Sequence, residues 1–107
     1  MKVDKKYVDD VCQYAGDQVD LEVIHALYGS LASVLGNQDS ANVAFSDESE
    51  LQTVKQNFLK DKLGVEGDEA DAALEKVGEM MSGDNSKNRL TVYYLLVDEL
   101  GARDKVC

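Results

Sequence analysis

The residues of this chain best suited to do chemistry are Lys87, Asn88 and Arg89, two cations around an amide just before the apolar run Leu90-Thr91-Val92-Tyr93-Tyr94-Leu95-Leu96-Val97. If Asn85 or Ser86 caps a helix there, the three residues lie in its first turn. Free backbone N–H groups and the positive end of the helix dipole favour an anion at that point. Lys55, on an earlier helix, adds charge if the two elements are neighbours. The ligand that such a set would hold is a small anion such as phosphate or a phosphometabolite, with or without turnover. The competing reading pairs Arg89 and the lysines with nearby carboxylates such as Asp84, because surface ion pairs are common and contribute little.

The other candidates are weaker. His25 is the only histidine, with no second histidine or cysteine at ligand spacing, so a transition-metal site is not expected. A Cys12–His25 catalytic pair has no sequence signature around either residue, and the simpler reading is a surface histidine and a small buried thiol. The stretch starting at Asp84 superficially matches a calcium loop, but its sixth position is Arg89 instead of glycine and its twelfth is Leu95 instead of glutamate. There is no P-loop, dinucleotide fingerprint, nucleophile elbow or zinc pair. No metal or cofactor is expected, and no catalytic residue is assigned.

Charge points in another direction. The formal net charge is -10, with 21 acidic and 11 basic residues. No lysine or arginine lies between Lys6 and Lys55. Binding to nucleic acid or to an anionic membrane surface needs cations that displace counterions, so both are excluded as general partners. Asp9, Asp10, Asp17, Asp20 and Glu22 fall in the basic-free region and make a candidate partner-binding face. Its occupant would be a basic protein. Otherwise the same charge serves only to keep the chain apart from its copies. The first six residues lead into no apolar stretch, no segment reaches membrane-span length, and Cys12 and Cys107 form no disulfide framework. A cytoplasmic protein is the expectation.

The elements that position these residues are helical. Val3, Tyr7, Val8 and Val11 recur at helical spacing up to Gly16. A second helix begins near the N-cap Asp20 and runs to Gly36, with Leu21, Ile24, Leu27, Tyr28, Leu31 and Leu35 as its buried stripe. Residues 36–46 read as a loop from which Val43 and Phe45 tuck onto the core. Asp47 and Glu50 predict a reciprocal cap for a third helix, with Leu51, Val54, Phe58 and Leu63 facing inward and Gly64 at positive φ beneath Val65. Asp68 caps a fourth helix whose Ala70, Ala73, Leu74, Val77, Met80 and Met81 face the core, and Gly83 stops it. The fifth segment, about 86–100, is apolar nearly all round and must be surrounded by the others. Its β-branched and aromatic residues also permit a strand, but only Asn42–Phe45 offers a pairing partner, which favours helix. Tyr93 and Tyr94 point in different directions, one into the core and one with its hydroxyl at the edge.

Two blocks carry a resemblance. Thr53-Val54-Lys55-Gln56-Asn57-Phe58-Leu59 with Lys62-Leu63-Gly64, and Asn88-Arg89 with Val92-Tyr93-Tyr94-Leu95-Leu96, resemble the two hallmark stretches of a family of short bacterial proteins, the domain of unknown function number 2853. The match spans Glu50 to Gly101, and Gln56 and Asp61 depart from it where the family carries lysine. The resemblance implies a stand-alone helical protein and no particular activity. The reading is therefore an all-α single domain, residues 1–107, of about five helices packed around an apolar C-terminal helix. Its favoured function is a non-enzymatic protein-interaction or accessory module with an acidic surface.

Overall fold

Nine consecutive residues, Arg89 to Val97, are buried. A helix has no face to spare for solvent under that condition, and the apolar composition of this stretch on every side is what makes the arrangement possible. A computed structural model describes residues 5–16, 19–35, 47–82 and 88–106 of the chain. Its helices are α1 (Lys5–Ala15), α2 (Leu21–Leu35), α3 (Glu48–Val54) continued by a π-helical turn (Lys55–Lys60), α4 (Asp68–Met80), α5 (Arg89–Leu100) and a short α6 (Arg103–Val106). Helix α5 packs against α1, α2 and α4. It reaches the α3 side through a stack of Tyr93 on Phe58, with ring centroids 4.0 Å apart. The architecture is all-α with the fifth helix at its centre, and α6, which packs on α2, is an addition to the five expected.

Local chemistry explains most of the boundaries. Asp20 Oδ1 accepts from the N–H groups of Glu22 and Val23 and so caps α2. Asp47 Oδ1 accepts from Ser49 N–H at 2.9 Å and caps α3. Gly64 adopts φ +70°, and the Val65 N–H folds back onto the Leu59 carbonyl at 2.7 Å, as the Leu-Gly-Val pattern predicts. Gly101, at φ +62°, ends α5 while Ala102 N–H bonds to the Val97 carbonyl.

Several expectations need correction. The cap of α5 is Asn88, whose side chain accepts from Leu90 N–H at 3.0 Å, and not Asn85 or Ser86. The N-cap of α4 is Gly67, so Asp68 is the first helical residue and serves with Glu69 and Asp71 as negative charge in the first turn. Leu21 is 55% exposed because the inward stripe of α2 runs through Val23, Leu27 and Leu31, four residues apart, with Ile24 beside it. Met80 is 42% exposed and the C-cap residue Met81 takes the buried place. Glu50 does not complete a capping box, since its carboxylate goes to Arg89. Tyr93 and Tyr94 are both buried, and both hydroxyls are used. The expected loop 36–46 with Val43 and Phe45, the stops at Gly36 and Gly83, and Asp17, Asp84 and Lys87 lie outside the described residues.

The π-helical turn shapes the α3 side. Bonds from Asp61 N–H to the Gln56 carbonyl and from Leu63 N–H to the Phe58 carbonyl span five residues instead of four. The wider turn advances the register, so Val54, then both Phe58 and Leu59, then Leu63 are buried. A regular α-helix would have turned Leu59 away from this face.

Candidate functional site

The buried start of α5 is the first place to look, because it holds Arg89 in an otherwise apolar interior. Arg89 is 8% exposed. As the first residue of the helix it points its side chain along the core, where Nη2 donates to Glu50 of α3 and Nη1 donates to the Tyr93 hydroxyl at 3.0 Å. Burial works against its charge, but the hydrogen bonds to Tyr93 and Glu50 outweigh that cost and hold the guanidinium above its ordinary range. Its carbon also lies 5.8 Å from the centroid of the Tyr93 ring. Two further polar contacts fasten α5: Thr91 Oγ1 donates to Asp10 of α1, and Asp20 N–H, at the start of α2, donates to the Tyr94 hydroxyl at 2.8 Å. The three contacts tie one central helix to three neighbours.

Around Arg89 and Tyr93 opens a cleft of about 480 Å³. Phe58 and Leu31 supply apolar wall, and Asn57, Lys62 and Ser30 supply polar groups, with Lys62 Nζ donating to the Ser30 hydroxyl at 3.3 Å. The two sequence blocks that carry the family resemblance meet here. Ser30 was not singled out from the sequence, Lys62 entered only as part of a family block, and Glu50 only as a helix-capping residue. Glu50 lies 39 residues from its partner, and only the fold brings them together.

Of the four residues proposed for an anion, the three that are described are each engaged within the fold. Arg89 is engaged by Glu50 and Tyr93, Lys55 forms an ion pair with Asp71 of α4, and the Asn88 side chain occupies a backbone N–H that an anion would use. Lys87 lies outside the described residues. The proposed partner-binding acids also divide. Asp9 and Glu22 are exposed, whereas Asp10 holds Thr91 and Asp20 caps α2, and Asp17 lies outside the described residues. His25 is exposed and Cys12 is half-buried with a free thiol. Among the described residues no group of three or more His, Cys, Asp or Glu side chains is placed to hold a metal ion, and no helix is long and apolar enough to cross a membrane.

A second cleft, of about 470 Å³, runs between α3 and α4. Leu51, Leu74 and Gly78 form apolar wall, and Glu75 and Glu79 stand exposed beside it. Glu75 and Glu79 have no ion-pair partner among the described residues.

These features define a small all-α domain organised around the central helix α5, whose residues 89–97 are buried. The chain belongs to the DUF2853 family, described as a protein of unknown function, whose model matches residues 6–104. The match extends the resemblance read from Glu50–Gly101 through α1 and α2. No curated protein shows significant similarity to the chain.

Proposed function

We propose that this protein is a non-enzymatic interaction or accessory module that engages a basic protein partner through exposed carboxylates. The observation that carries the reading is an imbalance at the surface. Lys55, Lys60 and Lys76 are each joined to a carboxylate, as is the buried Arg89. Among the described residues, Lys5, Lys62 and Lys105 are exposed without an ion pair, while the larger set Asp9, Glu22, Asp68, Glu69, Glu75 and Glu79 is exposed without an ion-pair partner. Beneath them the described buried side-chain polar atoms are satisfied, so the interior groups are spent on the fold. Carboxylates of this kind steer a basic partner and set specificity more than they set affinity.

The test is isolation of the protein with its partners from the cell that makes it, across a salt series. Two charge-reversed forms are run beside it, Asp9→Lys/Glu22→Lys and Glu75→Lys/Glu79→Lys. All four positions are exposed and none caps a helix, so the fold should survive, whereas reversing Asp20 would also remove the α2 cap. The expected result is a basic partner released as exposed charges become screened within about 10 Å at 0.1 M salt, and lost in at least one reversed form. A partner retained through both would show that the acidity has no part in recognition.

A further inference from the structure

The cleft between α3 and α4 has a shape and a charge that select among occupants. Along α4, Leu74 and Gly78 lie four residues apart on one face, and Leu51 of α3 completes the apolar surface opposite them. Gly78 lies in the last turn of α4 and presents no side chain to the cleft that it lines. Lys55 at one end is neutralised by Asp71, so the charge left along the opening is that of Glu75 and Glu79. The stretch of α4 from Asp71 to Glu79 that lines the cleft is about 12 Å long, or roughly two helical turns. A second copy of the chain docking by this face would set Glu75 and Glu79 against their own counterparts, which like-charge repulsion opposes.

We infer that this groove receives a basic amphipathic helix of a protein partner. The apolar residues of that helix, spaced i, i+3/i+4 and i+7, enter against Leu51, Leu74 and Gly78 while its lysines or arginines meet Glu75 and Glu79. The inference rests on the acidic-interaction reading and assigns it a place and a partner chemistry.

The experiment uses the full chain and a fluorescently labelled synthetic peptide of about 18 residues, with leucines at that spacing and lysine and glutamine elsewhere, read by fluorescence anisotropy. A second peptide of the same composition has its leucines dispersed around the helix. Tighter binding of the patterned peptide by tenfold or more is expected, together with a loss of tenfold or more in the Glu75→Lys/Glu79→Lys protein and in Leu51→Ser. Gly78→Gln, which fills the opening, should do the same, and circular dichroism checks that each variant is folded. The exposed Glu75/Glu79 pair keeps the test valid if Gly78→Gln does not fold. Equal binding of the two peptides, or unchanged binding by the folded variants, overturns the groove. Weakening only in Asp9→Lys/Glu22→Lys would overturn the groove and leave the acidic reading standing, whereas no binding of either peptide would overturn both. A dimer seen by sedimentation and dissociated by Leu51→Ser would assign the groove to a second copy and overturn the inference.

Discussion

Replacing Arg89 by alanine should destabilise the protein by about 2–3 kcal/mol. The guanidinium is 8% exposed, and its removal strands two groups, the Glu50 carboxylate and the Tyr93 hydroxyl. Two unit charges 4 Å apart attract by about 4 kcal/mol at an effective dielectric constant of 20, before desolvation is subtracted. Breaking a fully buried pair from one side costs about 3–5 kcal/mol. Here the Glu50 side chain is 28% exposed, so water can re-solvate it and the loss falls below that range. Glu50→Gln should cost less, about 1 kcal/mol, because the amide oxygen still accepts from Nη2. Arg89→Lys should fall between, since a single ammonium cannot serve both partners as the planar fork does. The assay is urea unfolding of the wild type, Arg89→Ala, Glu50→Gln and the double variant of these two, which yields a coupling energy expected at about 1–2 kcal/mol. A loss under about 0.5 kcal/mol in Arg89→Ala, or a coupling near zero, would refute the assignment of Arg89 to the fold.

Phe58→Ala should cost about 3–5 kcal/mol in the same assay, because it opens a cavity beneath the π-helical turn and removes the stack on Tyr93; a loss below 1 kcal/mol would put Phe58 at the surface. Asp20→Ala removes the α2 cap and should cost about 1 kcal/mol, measured as a shift in the urea midpoint with an unchanged slope. Hydrogen exchange should find the amides of residues 92–97 among the slowest in the chain, opening only with global unfolding, and early exchange there would contradict the central position of α5.

The parts of the fold that were legible in the sequence are those written in local chemistry. Asp20, Asp47 and Gly64 announce their turns through groups a few residues away, and the run from Leu90 to Val97 shows its burial by having no polar face. What was not legible depends on distance or on degeneracy. Glu50 satisfies the local rule for a capping box, yet an arginine 39 residues away offers a stronger, partly desolvated partner. Asn85, Ser86 and Asn88 are all good capping types within four positions, so composition could not choose among them. The π-helical turn has no compositional mark, and its extra residue is what brings Leu59 inward beside Phe58. Leu21 and Met80 fit an apolar stripe by spacing but lie at its margin near helix ends, where the neighbouring helix no longer covers them. The same distance hides the partners of Lys55 and Arg89: the sequence shows the cations but not that the fold places Asp71 and Glu50 against them.

If the start of α5 holds the fold and recognition lies on the exposed carboxylates, as proposed, phosphate and a basic oligomer act on different parts of the protein. Amide chemical shifts recorded while inorganic phosphate, and separately a short lysine oligomer, are titrated into the protein test this most directly. Phosphate is expected to leave the amides of Asn88, Arg89 and Leu90 unmoved, while the lysine oligomer shifts amides of α4 or those near Asp9 and Glu22, and does so less as salt rises. A saturable phosphate response centred on Arg89, with no response to the oligomer, would contradict the proposal and return the anion-binding reading in its place.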